Sequence, residues 1–191
     1  MNDIIQQNLD TDNWFTYKQL YTKFAELAKE RDYKNIVEVG VWKGHSLSFL
    51  ANLLKGSGIN IHAVDLFEDS YEYDEFEGIP EYKHKIFDIF MENLKRVGVE
   101  DDINIIKGYS WDMADEFEDN SLDIVFIDAD HEYESVKKDI NAWYPKVKQG
   151  GIIAGHDWFS HPGVSKAIVE YLGTDENINT DESENVWWMD V

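Results

Sequence analysis

Apolar positions along the chain fall into two alternating spacings. Short, continuous, β-branched runs occur at Ile36-Val37-Glu38-Val39, Ile59 to Leu66, Ile103 to Ile106, Leu122 to Ile127 and Ile152 to Ala154. Runs of this kind suit parallel strands covered on both faces. Between them the helical period takes over. It passes through Trp14, Tyr17, Tyr21, Phe24, Ala25 and Ala28, where Asp12 or Asn13 can cap the start, and then through Leu47, Leu50 and Leu54. It returns from Tyr82 to Val97, from Glu132 to Trp143, and from Pro162 or Gly163 to about Leu172. A short acidic helix reaches about Phe117, and Lys55-Gly56-Ser57-Gly58, Gly98, Pro145 and Gly150-Gly151 punctuate the series. The tail, NINTDESENVWWMDV, reads as two strands around a polar turn and hence as an antiparallel pair. Strand–helix alternation implies right-handed crossovers. The expected fold is therefore a Rossmann-like, doubly wound, seven-stranded α/β sheet, mostly parallel with an antiparallel C-terminal hairpin strand. It forms one domain over residues 1–191, with an N-terminal helix at about 13–31 and an acidic, aromatic insert at about 67–80 (FEDSYEYDEFEGIP).

Composition narrows the function classes. A hydrophobic fraction of 43%, with 7 Trp, 10 Tyr and 10 Phe, excludes a disordered chain. A formal charge of -22 opposes a phosphate backbone, so no nucleic acid is expected as partner. The bland meaning of that charge is a solvated acidic surface. There is no cysteine, hence no disulfide framework or thiolate chemistry. Residues 1–13 are polar and lack the basic start and apolar run of a leader, and no apolar run is long enough for a membrane helix. A cytoplasmic protein without membrane association is expected, and an oligomer is allowed.

The chemistry gathers where strands end, the rim at which open α/β sheets bind ligands. The first strand runs into Glu38-x-Gly40-x-x-x-Gly44 and then a helix opening near Ser46. This differs from the GxGxxG of dinucleotide binders. A carboxylate inside the turn repels a pyrophosphate and suits a cationic ligand, which favours S-adenosylmethionine over NAD. Asp65 ends the second strand, 27 positions after Glu38, where an acid can accept both ribose hydroxyls. Its bland role is a cap or surface acid. Ser110 and Trp111, with Tyr109, follow the third strand and could wall an adenine, although Trp111 could equally be core. The candidate cofactor contacts are thus Glu38, Gly40, Gly44, Ser46, Asp65, Ser110, Trp111 and Asp128. Asp128 and Asp157 end the fourth and fifth strands, with His156, Asp130 and His131 close by. Asp128, Asp157 and His156 form a plausible divalent-cation site, for Mg²⁺ or a similar ion. His131, three residues after Asp128, is a candidate general base, or else a partner for Asp130.

From about residue 33 to 172 these motifs resemble the class I S-adenosylmethionine-dependent methyltransferases. VEVGVWKGHS is similar to that family's glycine-rich motif, and Asp65 to its ribose-binding acid. FIDADHEYESV followed by GGIIAGHDW resembles small-molecule O-methyltransferases of the sugar and antibiotic-tailoring type. The resemblance implies Asp128 and Asp157 as metal ligands, His156 as a third, and Asp128 and His131 as the catalytic pair, His131 serving as base. It departs at His156, where metal-dependent relatives more often carry an acid.

The expected function is O-methylation of a small-molecule hydroxyl, with the insert and the N-terminal helix shaping the acceptor site. The competing class is a non-catalytic module that binds the nucleoside cofactor or a partner, since fold does not settle function. The cluster of Asp128, His131, His156 and Asp157 discriminates between them, because a pure binding module has no use for it.

Overall fold

The computed structural model describes residues 15–67, 86–173 and 176–191. Asp12, Asn13, Trp14, residues 68–80 of the expected insert and residues 82–85 of the expected third helix lie outside them. In chain order the elements are α1 (Lys18–Glu30), β1 (Asn35–Val39), α2 (His45–Leu54), β2 (Asn60–Asp65), α3 (Ile86–Val97) and β3 (Ile103–Lys107). Then follow α4 (Ser110–Met113) with a 3₁₀ turn at Ala114–Glu116, β4 (Leu122–Ile127), α5 (Tyr133–Trp143), β5 (Val147–His156) and α6 (Pro162–Leu172). The short β6 (Asn179–Asp181) and β7 (Val186–Asp190) close the chain.

The seven strands form one sheet in the order β3-β2-β1-β4-β5-β7-β6. The first five are parallel, and β7 runs antiparallel to both β5 and β6. This is the doubly wound sheet with an antiparallel C-terminal pair that the hydrophobic pattern predicts. Alternate residues of each strand face opposite layers. Ile36, Ile61, Ile124 and Phe126 pack with Tyr21, Phe24, Leu47, Leu50 and Leu94 of α1, α2 and α3. Val37, Val64, Val125 and Ile153 pack with Val136, Ile140, Trp143 and Ile168 of α5 and α6. Two details differ from the expectation. Strand β5 starts at Val147, before its glycines rather than after them, and its register against β4 shifts between Leu122 and Ile124. Gly150 there takes a φ of 80° and an added Cβ on Gly151 would lie 2.8 Å from the Asp123 carbonyl oxygen, so the irregularity needs both glycines.

The second difference is the start of α1, which begins at Lys18 and has no side-chain cap of its own. Its first turn is held from the far end of the chain. The backbone N–H groups of Gln19 and Leu20 donate to the two carboxylate oxygens of buried Glu184, at 2.7 and 2.9 Å. A carboxylate there satisfies two otherwise orphaned donors and complements the positive end of the helix. The aromatic face of α1 then packs on β4, with the rings of Tyr17 and Tyr21 4.7 and 5.0 Å from that of Phe126. Glu184→Ala should therefore lower unfolding stability by about 1–3 kcal/mol, since the buried Leu20 N–H and the part-buried Gln19 N–H lose their acceptor. Urea denaturation would show a reduced midpoint, with Glu184→Gln intermediate; an unchanged midpoint for Glu184→Ala would show that α1 docks without it.

Candidate active site

Glu38 is 1% exposed in the middle of the sheet. The Ser46 hydroxyl, from the first turn of α2, donates to its Oε1, while Oε2 has no hydrogen-bond partner among the described residues. Burial pushes the carboxyl up to about 8, against the opposing pulls of the Ser46 and Tyr21 hydroxyls. Gly40 then turns with a φ of 85°. An added Cβ would sit 2.0 Å from the Asp128 carbonyl oxygen, so a side chain there would push the ends of β1 and β4 apart. The Gly44 Cβ position falls 2.7 Å from the Phe90 ring, which lets α3 close over the start of α2.

Asp65 fastens this turn. Its Oδ2 accepts from the backbone N–H of Val41 and of Trp42, both at 2.9 Å, and Oδ1 accepts from Phe67 N–H at 2.7 Å. Trp42 and Phe67 hold φ values of 44° and 48°, costly for bulky residues. With one amide on Oδ1, that oxygen keeps a lone pair for a further donor.

At the β3 end Ser110 is anchored to α5. Its hydroxyl donates to Asp139 Oδ1, and its carbonyl accepts from Trp143 Nε1 at 3.1 Å. Trp111 stacks on Tyr109 at 5.4 Å with the Lys138 ammonium 4.3 Å from its ring, and it is half-buried rather than core.

The structure brings the acids and imidazoles of β4 and β5 to one point. His156 Nδ1 lies 3.6 Å from Asp128 Oδ1 and 3.2 Å from Asp157 Oδ2. His131 Nε2 lies 2.8 Å from the same Asp157 oxygen. Asp130 instead accepts the Glu132 N–H, and His131 pairs with Asp157 rather than with Asp130. Ligand atoms of Asp128, His156 and Asp157 all fall within 4.8 Å of one another. Donors about 2.1 Å from one ion, at right or tetrahedral angles, are about 3.0–3.4 Å apart, so this set fits a divalent cation.

Five participants carry no local sequence signal or only a weak one. Tyr17, 3% exposed, donates its hydroxyl to Asp128 Oδ2 at 2.7 Å, and Thr16 Oγ1 lies 3.2 Å from His156 Nε2. Asn185, in the β6–β7 turn, donates to Asp157 Oδ1 at 3.1 Å and accepts from Phe159 and Ser160 N–H. Ser160 also donates to Asp157 Oδ1, at 2.6 Å, and the His161 ring stacks on His131 at 4.3 Å. Only Ser160 and His161 could have been suspected, from their spacing three and four residues after Asp157.

Electrostatics follow from this packing. Burial alone would lower His156, but its hydrogen bonds to Asp128 and Asp157 and their charges raise it to about 10. His131 is raised for the same balance of reasons, with Asp157 the main partner. Asp157 resists its own burial and is held far below the carboxylate range by His131, His156 and Ser160.

A five-stranded parallel sheet extended by an antiparallel pair, with a glycine turn after β1 and an acid at the end of β2, defines the class I methyltransferase fold. The chain belongs to the methyltransferase-domain family, whose sequence pattern matches residues 37–158, more than half of its length. A putative caffeoyl-CoA O-methyltransferase of Arabidopsis thaliana is 28% identical over 152 residues, covering 76% of this chain and 58% of that protein. An uncharacterized protein of Acanthamoeba polyphaga mimivirus is 28% identical over 153 residues, covering 74% and 62%. The chain thus spans about three fifths of the length of these relatives. Among solved structures, the O-methyltransferase NovP matches with a TM-score of 0.72 at 18% identity, over 92% of this chain and 79% of that one. An O-methyltransferase from Bacillus cereus in complex with SAH matches at 0.67 and 16%, over 100% and 90%. No helix among the described residues is long and apolar enough to cross a membrane.

The raised imidazoles make stability depend on pH. In metal-free protein the His156 contribution is fully present below about pH 6.5, its unfolded value, and is lost as pH rises toward 10. Glu38, also raised, loses its contribution between about pH 4.5 and 8. Chemical denaturation should therefore show a decline that continues from pH 8 to 10, and His156→Gln should flatten that upper part. The same upper slope in His156→Gln and in wild type would mean that His156 is not cationic in the folded protein.

Proposed function

We propose that the protein is an S-adenosylmethionine-dependent O-methyltransferase acting on a small-molecule hydroxyl of sugar or natural-product type, with a divalent cation at Asp128, His156 and Asp157. The observation that carries this is the meeting of Asp128, His131, His156 and Asp157 directly beside the Gly40 turn. A nucleoside-binding module would need the turn and not the cluster. That the plant relative and NovP are described as O-methyltransferases supports oxygen as the acceptor atom.

The chain's own residues suit such a cofactor. The unpartnered Oε2 of Glu38 awaits a donor or a positive charge, and a cationic amino group supplies both. Ser46 fixes the other oxygen, Gly40 and Gly44 keep the turn close, and the spare lone pair on Asp65 Oδ1 suits a ribose hydroxyl. Ser110 and the stacked Tyr109–Trp111 pair stand at the β3 rim where an adenine would lie. When bound, S-adenosylmethionine supplies a methyl group on a positively charged sulfur. A divalent cation, when bound, lowers the pKa of a hydroxyl that touches it.

The remaining work is orientation and proton removal. Asp157 takes the Nε2 side of His131, which keeps the proton on Nε2 and leaves the Nδ1 lone pair to accept the proton of the acceptor hydroxyl. The same carboxylate raises the basicity of the ring. Tyr17 and Asp128 close the floor of the site from α1 and β4.

Two experiments follow. Titration calorimetry should detect S-adenosylmethionine binding and no NAD binding. Below pH 8 binding should release a proton from Glu38, seen as a heat that varies with the buffer's ionisation enthalpy and is absent in Glu38→Gln. Buffer-independent heats in wild type would remove Glu38 from the cofactor site. Once an acceptor is in hand, His131→Ala should lower kcat by roughly 10²–10⁴-fold at nearly constant cofactor affinity. The wild-type rate should rise with pH through an apparent pKa above 6.5, because the base must first lose its proton. EDTA should stop turnover and spare cofactor binding. Full rates in EDTA would sink the metal assignment, and a normal rate in His131→Ala would sink the base.

A further inference from the structure

Asp139 is an acid that the chemistry above does not use, and its position is costly. It is 0% exposed on α5, its Oδ2 has no hydrogen-bond partner among the described residues, and burial raises its carboxyl to about 7 against the pull of Ser110. Among the described residues its side-chain hydrogen-bond partner is the Ser110 hydroxyl, which donates to Oδ1. One helical turn further on, Trp143 donates its indole N–H to the carbonyl of the same residue. Residues four apart share a helix face, so α5 grips Ser110 twice, once through the backbone and once through the hydroxyl. The backbone grip alone would fix the position of Ser110. The hydroxyl grip does something else: it fixes the direction of a proton.

A serine hydroxyl has one proton and two lone pairs. With the proton committed to Asp139, only lone pairs remain for whatever meets Ser110 at the rim. Such a serine accepts from a ligand N–H and repels a ligand carbonyl. Adenine presents an amino group at C6 and hypoxanthine presents an oxygen, so the two purines are told apart by the orientation of this hydroxyl. A carboxylate cannot turn a donor toward the serine while it is ionised, so above about pH 7 the orientation is one-way.

We propose that Asp139 is a specificity-determining residue, which makes the purine end of the site select a 6-amino purine by taking the proton of Ser110. This rests on S-adenosylmethionine as cofactor and Ser110 as a contact of its base. Asp139 itself does not touch the ligand and acts through Ser110 as a positioning residue.

The test compares S-adenosylhomocysteine with S-inosylhomocysteine, which differ at the C6 substituent and N1 proton, by calorimetry on the full chain at a pH well above 7, where Asp139 is ionised. Wild type should bind the adenosyl compound on the order of ten- to a hundredfold more tightly, the worth of one hydrogen bond exchanged for a lone-pair clash. In Asp139→Leu, which fills the space without an acceptor, the serine proton is free to turn outward. The ratio of the two dissociation constants should then fall to within about threefold while the protein still melts cooperatively. Asp139→Ala provides the same comparison should the leucine fail to fold. Equal binding of both compounds by wild type, or a wild-type ratio in folded Asp139→Leu or Asp139→Ala, would overturn the role of Asp139. An absence of S-adenosylhomocysteine binding by wild type would instead overturn the cofactor assignment beneath it.

Discussion

The carboxylate of Asp157 is the junction on which the site depends. It holds a φ of 62° just beyond β5, a conformation that aspartate tolerates better than most residues. Around it meet Ser160 from its own loop, Asn185 from the β6–β7 turn, His131 from the start of the α5 segment and His156 from its own strand. A buried carboxylate is stable only if it is paired, and these partners supply the pairing. They also join parts of the chain that are otherwise separate. Through His156 the junction reaches Asp128, through Asp128 it reaches Tyr17, and through Glu184, next to Asn185, the same C-terminal turn caps α1.

Charge is arranged in two opposite compartments that share Asp128 as a wall. On the β5 side, two acids hold His156 cationic at neutral pH in the metal-free protein. On the β1 side, Glu38 stays largely protonated at neutral pH because burial outweighs its bond to Ser46. The first compartment carries its own counter-charge, and the second gains one only when a cationic ligand arrives. That asymmetry suits a cofactor pocket beside a proton-handling pocket.

Much of this was legible in the sequence, for a local reason. Strands such as Leu122–Ile127 and helices such as Tyr133–Trp143 announce themselves through period, and parallel topology then delivers their ends to one rim. Glu38 was legible because an acid inside an apolar strand has no cheap structural role. What could not be read was set by contacts between distant segments. Tyr17 meets Asp128 across 111 positions, and Asn185 meets Asp157 across 28. No periodicity marks either. Asp139 lies on a helix where an acid looks like ordinary surface, and only the packing of α5 against α4 shows it buried. The start of α1 was read too early, because aromatic spacing alone cannot show that its cap arrives from Glu184.

The central claim is that Asp157 makes His131 and His156 parts of one unit. The most direct measurement is a ¹⁵N-detected titration of the histidine rings in metal-free wild type and in Asp157→Asn. The account predicts that both rings titrate above the ordinary value of about 6.5 in wild type, and that both fall toward it together in Asp157→Asn. If either histidine kept its wild-type titration after the substitution, that ring would be held by something else, and the single junction described here would be contradicted.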